Sequence, residues 1–268
     1  MVKAILHPGF YKTATTSIQD CLRQNRATLA PHTTLLLEED LGAANHLGKI
    51  WAERGGSWRL VLLRRALRKA LRQVDPHKPL ILSRETLTGT LPGTILARQP
   101  VLDYITPGQR LCTILVQEIR RHMGADCPIT LVFGTRETEA YLRSVWGHHI
   151  RATAMTLDYP AFRARLAPDF DLTAQADAIH AKLPGTALRH APVETGNLTR
   201  MGPAGPLLDL LDLPPDVMAA LSPTPRKNQG VPRDVLNEMR DLNRTITDPK
   251  ALKDAKKHLR ARHQNETT

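Results

Sequence analysis

The first turn of the chain constrains both fold and chemistry more than any other stretch. A short apolar run at residues 2–6 leads to Gly9 and Lys12, and a helical pattern follows from residue 14. Hydroxyl side chains crowd the start of that helix, at Thr13, Thr15, Thr16 and Ser17. Glycine lets a backbone approach an anion closely, and the free N–H groups and dipole of a helix start attract negative charge. The stretch predicts a strand, a phosphate-binding loop and a helix; an ordinary helix start capped by Thr and Ser is the alternative.

Length and composition predict an ordinary folded protein with one sizeable core. The chain has 268 residues, of which 41% are hydrophobic. We expect a single domain over residues 1–262 and a disordered tail over 263–268. No apolar run reaches the length of a membrane span, and residues 2–6 are too few for a signal-peptide core. The prediction is a cytoplasmic protein without a transmembrane segment. Its three cysteines are too widely spaced to indicate a disulfide framework or a zinc site.

The chain is strongly basic, with a net charge of +11 and a pI near 10.0. Such a surplus attracts anions, among them nucleic acid, an anionic membrane, an acidic polysaccharide or a nucleotide. A solvated arginine-rich surface is the alternative. Only 4% of residues are aromatic, and none of the basic stretches is interleaved with them, so we expect no nucleic-acid partner. A helix predicted over residues 58–74 carries a basic run at 64–72, which we interpret as a solvated face, with partner binding as the lesser alternative.

Apolar runs and helical patterns alternate along the chain. Runs at residues 33–37, 80–82, 128–135 and 186–193 predict further strands. Helical patterns cover residues 14–27, 38–54, 111–123 and 137–150. Residues 88–108, rich in Gly and Pro, predict an irregular loop that could wall an acceptor site. This alternation predicts an α/β fold with a parallel sheet.

Polar residues follow the strand at 80–82, where open α/β sheets bind ligands. Glu85 in this turn is our first candidate for a general base; capping the next helix or pairing with Arg84 is the alternative. His46, on the helix predicted over 38–54, is the second candidate for the base, against an ordinary surface role.

A second anion site is predicted after the strand at 128–135. Arg136 ends that strand, and Ser144 lies eight residues later on the next helix. Both can face one anion, and the planar guanidinium of Arg136 suits bidentate phosphate binding.

The first loop lacks the G-x-x-x-x-G-K-[ST] spacing of a Walker A motif. It resembles the 5′-phosphosulfate loop of sulfotransferases, especially the bacterial and carbohydrate-type members, which read like H-x-G-x-x-K-T-G-T-T-S. The matching residues are His7, Gly9, Lys12, Thr13, Thr15, Thr16 and Ser17. Pro8, Phe10, Tyr11 and Ala14 depart from the commonest form. Ala14 stands in place of a glycine and removes backbone freedom inside the loop.

Three later elements are similar to the same family. The turn at residues 83–85 is similar to its Ser-Ser-Glu-like turn, and Arg136 with Ser144 resembles its 3′-phosphate-binding element. Arg226 and Lys227 resemble, in kind only, its basic C-terminal loop. The resemblance implies that these two residues contact the cofactor.

The resemblance implies a three-layer α/β sandwich with a central parallel sheet, similar to P-loop nucleoside triphosphate hydrolases. It implies transfer of a sulfuryl group from 3′-phosphoadenosine-5′-phosphosulfate to a hydroxyl or amine, without a metal. The acceptor would be a small molecule or glycan, with an anionic acceptor favoured by the basic balance. Lys12, Glu85 and His46 are the catalytic candidates. The cofactor-binding candidates are Gly9, Phe10, Tyr11, Lys12, Thr13, Ala14, Thr15, Thr16, Arg136, Ser144, Arg226 and Lys227. A P-loop kinase or NTPase, and a catalytically weak nucleotide-binding scaffold of the same fold, are the alternatives.

Overall fold

A computed structural model of the protein describes residues 2–224 and 230–266. The described chain forms two compact units. The first comprises residues 2–90, 103–137 and 171–224, and the second comprises residues 91–102, 138–170 and 230–266. The single domain expected over residues 1–262 stays a prediction.

Seven strands and thirteen α-helices make up the two units. The strands are β1 Ala4–His7, β2 Thr34–Leu36, β3 Leu80–Ser83, β4 Ile95–Leu96, β5 Gln99–Pro100, β6 Ile129–Thr135 and β7 Ala187–Pro192. The helices are α1 Thr15–Gln24, α2 Arg26–Leu29, α3 Ala44–Arg54, α4 Ser57–Leu71, α5 Ile105–Met123, α6 Thr138–Ala152, α7 Tyr159–Arg163, α8 Leu172–His180, α9 Val193–Gly196, α10 Gly205–Leu208, α11 Pro215–Ala220, α12 Arg233–Thr245 and α13 Pro249–Glu266. Short 3-10 helices cover Glu38–Asp40, Glu85–Leu87, Gly202–Ala204 and Asp209–Leu211.

Five parallel strands form the central sheet of the first unit, in the order β2-β3-β1-β6-β7. β1 lies in the middle, where Leu6 is paired with Leu82 of β3 and Leu131 of β6. Helices flank the sheet, so the predicted α/β class with a central parallel sheet is confirmed. Because all five strands run in one direction, their carboxyl ends meet at a single edge. This edge is where the loops after β1, β3 and β6 begin.

Burial on both faces explains why the strands read as continuous apolar runs. Ile5 and Val132 point to the face that packs against Ile18 and Leu22 of α1. Their neighbours point to the opposite face, since side chains alternate along a strand. On that face Phe133 is fully buried.

Three helices differ from their sequence predictions. The helix predicted over residues 14–27 is divided at Asn25 into α1 and α2. The helix predicted over 38–54 is a 3-10 turn followed by α3, because the chain turns at Gly42, whose φ is 51°. The helix predicted from residue 111 begins six residues earlier, at Ile105. Pro107 lies in its first turn, where a missing N–H costs no helical hydrogen bond.

The second unit contains the β4–β5 hairpin and α6, α7, α12 and α13. Side chains of α12 and α13 donate hydrogen bonds to carbonyl groups at and just after the carboxyl end of α6. The buried Lys256 amine donates to the carbonyls of Ile150 and Thr153 at 2.7 Å each. The Asn243 amide donates to Met155 O at 2.6 Å and to Ile150 O at 3.2 Å. These bonds satisfy carbonyls that the end of a helix leaves without partners.

α13 includes residues up to Glu266, where the sequence predicted a tail from residue 263. Among the helices of residues 2–224 and 230–266, none is long and apolar enough to cross a membrane.

Candidate functional site

The loop between β1 and α1 turns through three left-handed residues. Gly9, Lys12 and Ala14 have φ values of 61°, 67° and 64°. Hydroxyl groups hold the turn from within: Thr13 Oγ1 donates to Phe10 O at 2.7 Å, and Thr15 Oγ1 approaches the same oxygen at 3.3 Å. The sequence predicts both threonines as cofactor-binding residues. Their protons are instead engaged with the backbone, so these two side chains shape the loop.

Most backbone N–H groups of the loop, unlike these two hydroxyls, donate to no atom of the described residues. Among the described residues, none accepts a hydrogen bond from the N–H of Phe10, Tyr11, Thr13, Ala14, Thr15, Thr16 or Ser17. The helical ladder begins with Ile18 N, which donates to Ala14 O at 3.0 Å. A row of N–H groups without protein acceptors at a helix start is the arrangement that binds phosphate and sulfate groups.

The loop lies against β6. A Cβ atom on Gly134 would be 2.8 Å from Thr13 Oγ1, so only glycine allows this approach. The Phe10 ring is 5.0 Å from that of Phe133 and 4.7 Å from that of Tyr104, between ring centroids. The connection leaving β1 runs toward β2, and the connection leaving β6 runs toward β7. Strand ends whose connections diverge in this way form the crevice in which open α/β sheets bind ligands.

Arg136, at the end of β6, lies beside this loop. Its Nη1 donates to Lys12 O at 3.5 Å, and the side chain is partly exposed. The predicted cation is therefore within reach of an anion held by the loop. Ser144 lies half-buried on α6 in the second unit. Arg226 and Lys227 lie outside the described residues.

His7 lies beneath the loop and is fully buried. Its Nδ1 is 2.8 Å from Ser83 Oγ, which joins the ends of β1 and β3. A Cβ atom on Gly9 would lie 3.3 Å from His7 Cε1, so the ring supports the glycine turn from below. Burial lowers the pKa of His7 from 6.5 to about 4, so the ring is neutral at physiological pH. Among the described residues, its Nε2 has no hydrogen-bond partner.

Glu85 follows β3 on the same edge of the sheet. Arg84 Nη1 donates to Glu85 Oε1 at 3.2 Å and to Glu38 Oε2 at 3.1 Å. Gln19 Nε2 reaches Glu85 Oε2 at 3.5 Å. The pairing with Arg84, one of the sequence alternatives, is therefore present. It leaves acceptor capacity on the carboxylate, since a carboxylate has about four lone-pair sites.

His46 is exposed near the start of α3. Its Nε2 is 3.4 Å from Asn45 Nδ2. The same Asn45 nitrogen donates to Glu38 Oε1 at 3.4 Å. Thr86 Oγ1 donates to Asn45 O at 2.6 Å. Glu38 thus links the turn that carries Glu85 to the helix that carries His46.

α3 touches the turn after β3 at a glycine. A Cβ atom on Gly48 would be 2.4 Å from Thr86 O, so the helix packs directly on the backbone of the turn. This contact fixes the distance between the two elements that carry the candidate bases.

Sequence reasoning missed three polar atoms around this network. Tyr11 Oη, Asn45 Oδ1 and Arg84 Nε are buried and have no partner among the described residues. Burial and the negative charge of Glu85 raise the pKa of Tyr11, so its phenol stays protonated. Buried polar atoms normally have a hydrogen-bond partner, so these point to a bound water or ligand group. The sequence predicted Tyr11 as a cofactor-binding residue of the loop, but it gave no signal that the phenol is buried beside Glu85.

Comparison with models of known protein families finds none that matches the chain, and comparison with curated proteins finds no match. Across the described residues, we find no group of three or more His, Cys, Asp or Glu side chains arranged to hold a metal ion.

Replacing Ala14 by glycine should stabilise the protein. Ala14 caps α1 in the left-handed conformation, which costs a residue with a Cβ about 1–2 kcal/mol. Part of that gain is offset by the greater freedom of glycine in the unfolded chain, so we expect Ala14→Gly to raise the free energy of unfolding by about 1 kcal/mol. Urea unfolding measures the change. The matched control is Ala66→Gly in the middle of α4, which should lose about 1 kcal/mol. Destabilisation by both variants would contradict the left-handed assignment.

The buried His7 should make stability depend on pH. The unfolded chain takes up a proton near pH 6.5, whereas the folded ring does so only near pH 4. This contribution to stability is therefore complete above pH 6.5 and is lost as the pH falls toward 4. Between pH 7 and pH 5 we expect a loss of about 2 kcal/mol from this group.

Urea unfolding at the two pH values, on wild type and two variants, measures this loss. His7→Asn should remove it, because asparagine can still bond Ser83 and does not titrate. Ser83→Ala should cost about 1 kcal/mol at pH 7 and keep the pH dependence. An unchanged pH dependence in His7→Asn would place its origin elsewhere.

Proposed function

We propose that this protein is a sulfotransferase that moves a sulfuryl group from 3′-phosphoadenosine-5′-phosphosulfate to a hydroxyl or amine. The observation that carries the proposal is the set of N–H groups of Phe10, Tyr11 and residues 13–17, which have no acceptor among the described residues and lie where β1 and β6 end. The proposed fold is that of P-loop nucleoside triphosphate hydrolases, with this loop in the place of the phosphate loop.

The residues of the loop suit a phosphosulfate group. Its N–H groups supply donors, Lys12 supplies a positive charge, and Thr16 and Ser17 supply hydroxyls on the first turn of α1. Ala14 does not close the loop, because it adopts the same left-handed conformation that a glycine would take there. The loop therefore keeps its shape despite the substitution, which favours an active enzyme over a weakened scaffold.

Arg136 supports a donor with a second phosphate. It lies at the carbonyl of Lys12, and its guanidinium can bind a phosphate through two parallel hydrogen bonds. We assign the 3′-phosphate to this residue, which would distinguish the donor from ATP. The contact of Ser144 with the same phosphate stays a prediction.

The chemistry divides between the two sides of the site. When bound, the donor supplies an activated sulfuryl group. Lys12 and the loop N–H groups neutralise the charge that develops on the leaving phosphate, as in phosphoryl transfer. Glu85 accepts the proton of the attacking hydroxyl or amine. Arg84 and Gln19 fix the orientation of its carboxylate. His46 is the second candidate for that role.

Calorimetry with 3′-phosphoadenosine-5′-phosphate tests the proposal. We expect tight binding of this product, weak binding of ATP with magnesium, and loss of binding in Lys12→Ala. Arg136→Ala should weaken binding of the product about 10- to 100-fold, because a hydrogen bond to a charged group contributes about 1.5–3 kcal/mol. The same variant should leave the affinity for adenosine 5′-phosphosulfate, which lacks the 3′-phosphate, unchanged.

Lys78→Ala is the matched control for these variants, because Lys78 precedes β3 at the opposite edge of the sheet. It should bind the product as wild type does. A preference for ATP with magnesium would contradict the sulfotransferase proposal and favour a kinase or NTPase. Equal effects of Arg136→Ala on the two adenosine ligands would remove the 3′-phosphate assignment.

The base can be tested without knowing the acceptor, by following slow transfer of the sulfuryl group to water. Glu85→Gln should slow release of the product about 100-fold or more and keep its affinity. His46→Gln, on the same edge of the sheet, should leave the rate unchanged. The reverse pattern would move the role of base to His46.

A further inference from the structure

The solvent-facing side of α4 combines large apolar and basic side chains. Trp58, Val61 and Leu62 are 57%, 49% and 37% exposed, and their spacing places them on one side of the helix. The same side continues with four exposed cations, Arg65, Arg68, Lys69 and Arg72. We call these seven residues the α4 face. The opposite side, which includes Leu63 and Leu67, is buried in the first unit and holds the helix in place.

Positive charge dominates this part of the chain. Residues 54–74 contain seven Lys and Arg and no Asp or Glu. The buried carboxylate of Glu118 on α5 binds Arg64 at 2.9 Å and Arg68 at 2.7 Å. Across the described residues, no carboxylate forms an ion pair with Arg65, Lys69 or Arg72. Arg65, Lys69 and Arg72 are therefore available to an external anion.

The apolar half of the face is also exposed to solvent. The Arg59 guanidinium stacks on the Trp58 ring at 4.3 Å from its centroid, which leaves more than half of the Trp58 side chain in water. Exposure of three neighbouring large apolar side chains to water is unfavourable, because burying each of them would lower the free energy. The cluster therefore indicates a partner with an apolar region. Nucleic acid would engage the cations but offers little to Val61 and Leu62.

We propose that the α4 face docks onto an anionic lipid surface. A helix with several Lys or Arg beside Trp and aliphatic side chains is suited to lie in the plane of a membrane interface. Trp58, Val61 and Leu62 enter the boundary between headgroups and acyl chains. Arg65, Lys69 and Arg72 bind lipid phosphates and carboxylates. The proposal is independent of the sulfotransferase assignment, since no residue of the phosphate loop contributes to it.

Co-sedimentation of the full-length protein with vesicles tests the proposal. We expect binding to phosphatidylcholine vesicles that contain phosphatidylserine, little binding to phosphatidylcholine alone, and weaker binding at raised salt. Combined Arg65→Ala, Lys69→Ala and Arg72→Ala should weaken binding about 100-fold, since each cation near such a surface contributes about fivefold. Combined Trp58→Ala, Val61→Ala and Leu62→Ala should weaken it more than about 10-fold and retain the salt dependence.

The matched control removes three exposed cations elsewhere, as Lys250→Ala, Lys253→Ala and Lys257→Ala on α13. It should change binding far less; an equal loss would attribute binding to net charge and overturn the proposal. Absence of binding to the phosphatidylserine vesicles would overturn it too. So would a dimer in sedimentation velocity that Trp58→Ala dissociates, because the face would then be covered by a second copy. The single variant Trp58→Ala replaces the triple apolar variant if circular dichroism shows the latter to be unfolded.

Discussion

The parallel pairing of β1 between β3 and β6 is the constraint on which the candidate site depends. Leu6 is joined to Leu82 on one side and to Leu131 on the other, which fixes where each strand ends. The loop after β1 therefore lies beside the turn that carries Glu85 and the strand end that carries Arg136. Buried contacts then set the fine positions: His7 on Ser83 and Phe10 on Phe133. Backbone hydrogen bonds of the sheet thus bring the loop after β1, Glu85 and Arg136 to one edge.

Local patterns made much of this predictable. The strands of the sheet read as apolar runs because both faces of a parallel sheet are covered. The first loop was recognised from the glycine, lysine and hydroxyl residues that come directly after the first of these runs. The early start of α5 at Ile105 could not be predicted, because Gly and Pro usually signal a loop and only tertiary packing makes them acceptable in a first helical turn. The hydrogen bonds of Thr13 and Thr15 to Phe10 O could not be predicted either, because they depend on the direction in which the loop points that oxygen.

The long-range polar contacts were the least predictable part of the site. Arg84 pairs with Glu38, 46 residues away, and Asn45 bonds the same carboxylate from a different element. A sequence pattern gives no distance between such elements. The net charge of the chain also misleads, because residues 54–74 carry seven cations and no Asp or Glu, whereas the carboxylates of Glu38 and Glu85 flank Arg84. The net charge of the chain thus reflects the basic surface at α4 better than it reflects the charges around the candidate site.

The contact of Gly48 with Thr86 O distinguishes a position of α3 that cannot be substituted from its outward positions, which can. Any side chain at position 48 would push α3 away from the turn after β3, so that position is closed to substitution. His46 is exposed on the same helix, and Lys49 lies half-exposed beside Glu53 of that helix. Residues on the outward side of α3 can therefore be exchanged one at a time while the helix keeps its place. A single glycine thus gives this fold an edge whose outward side chains could change in evolution without renewed selection for stability.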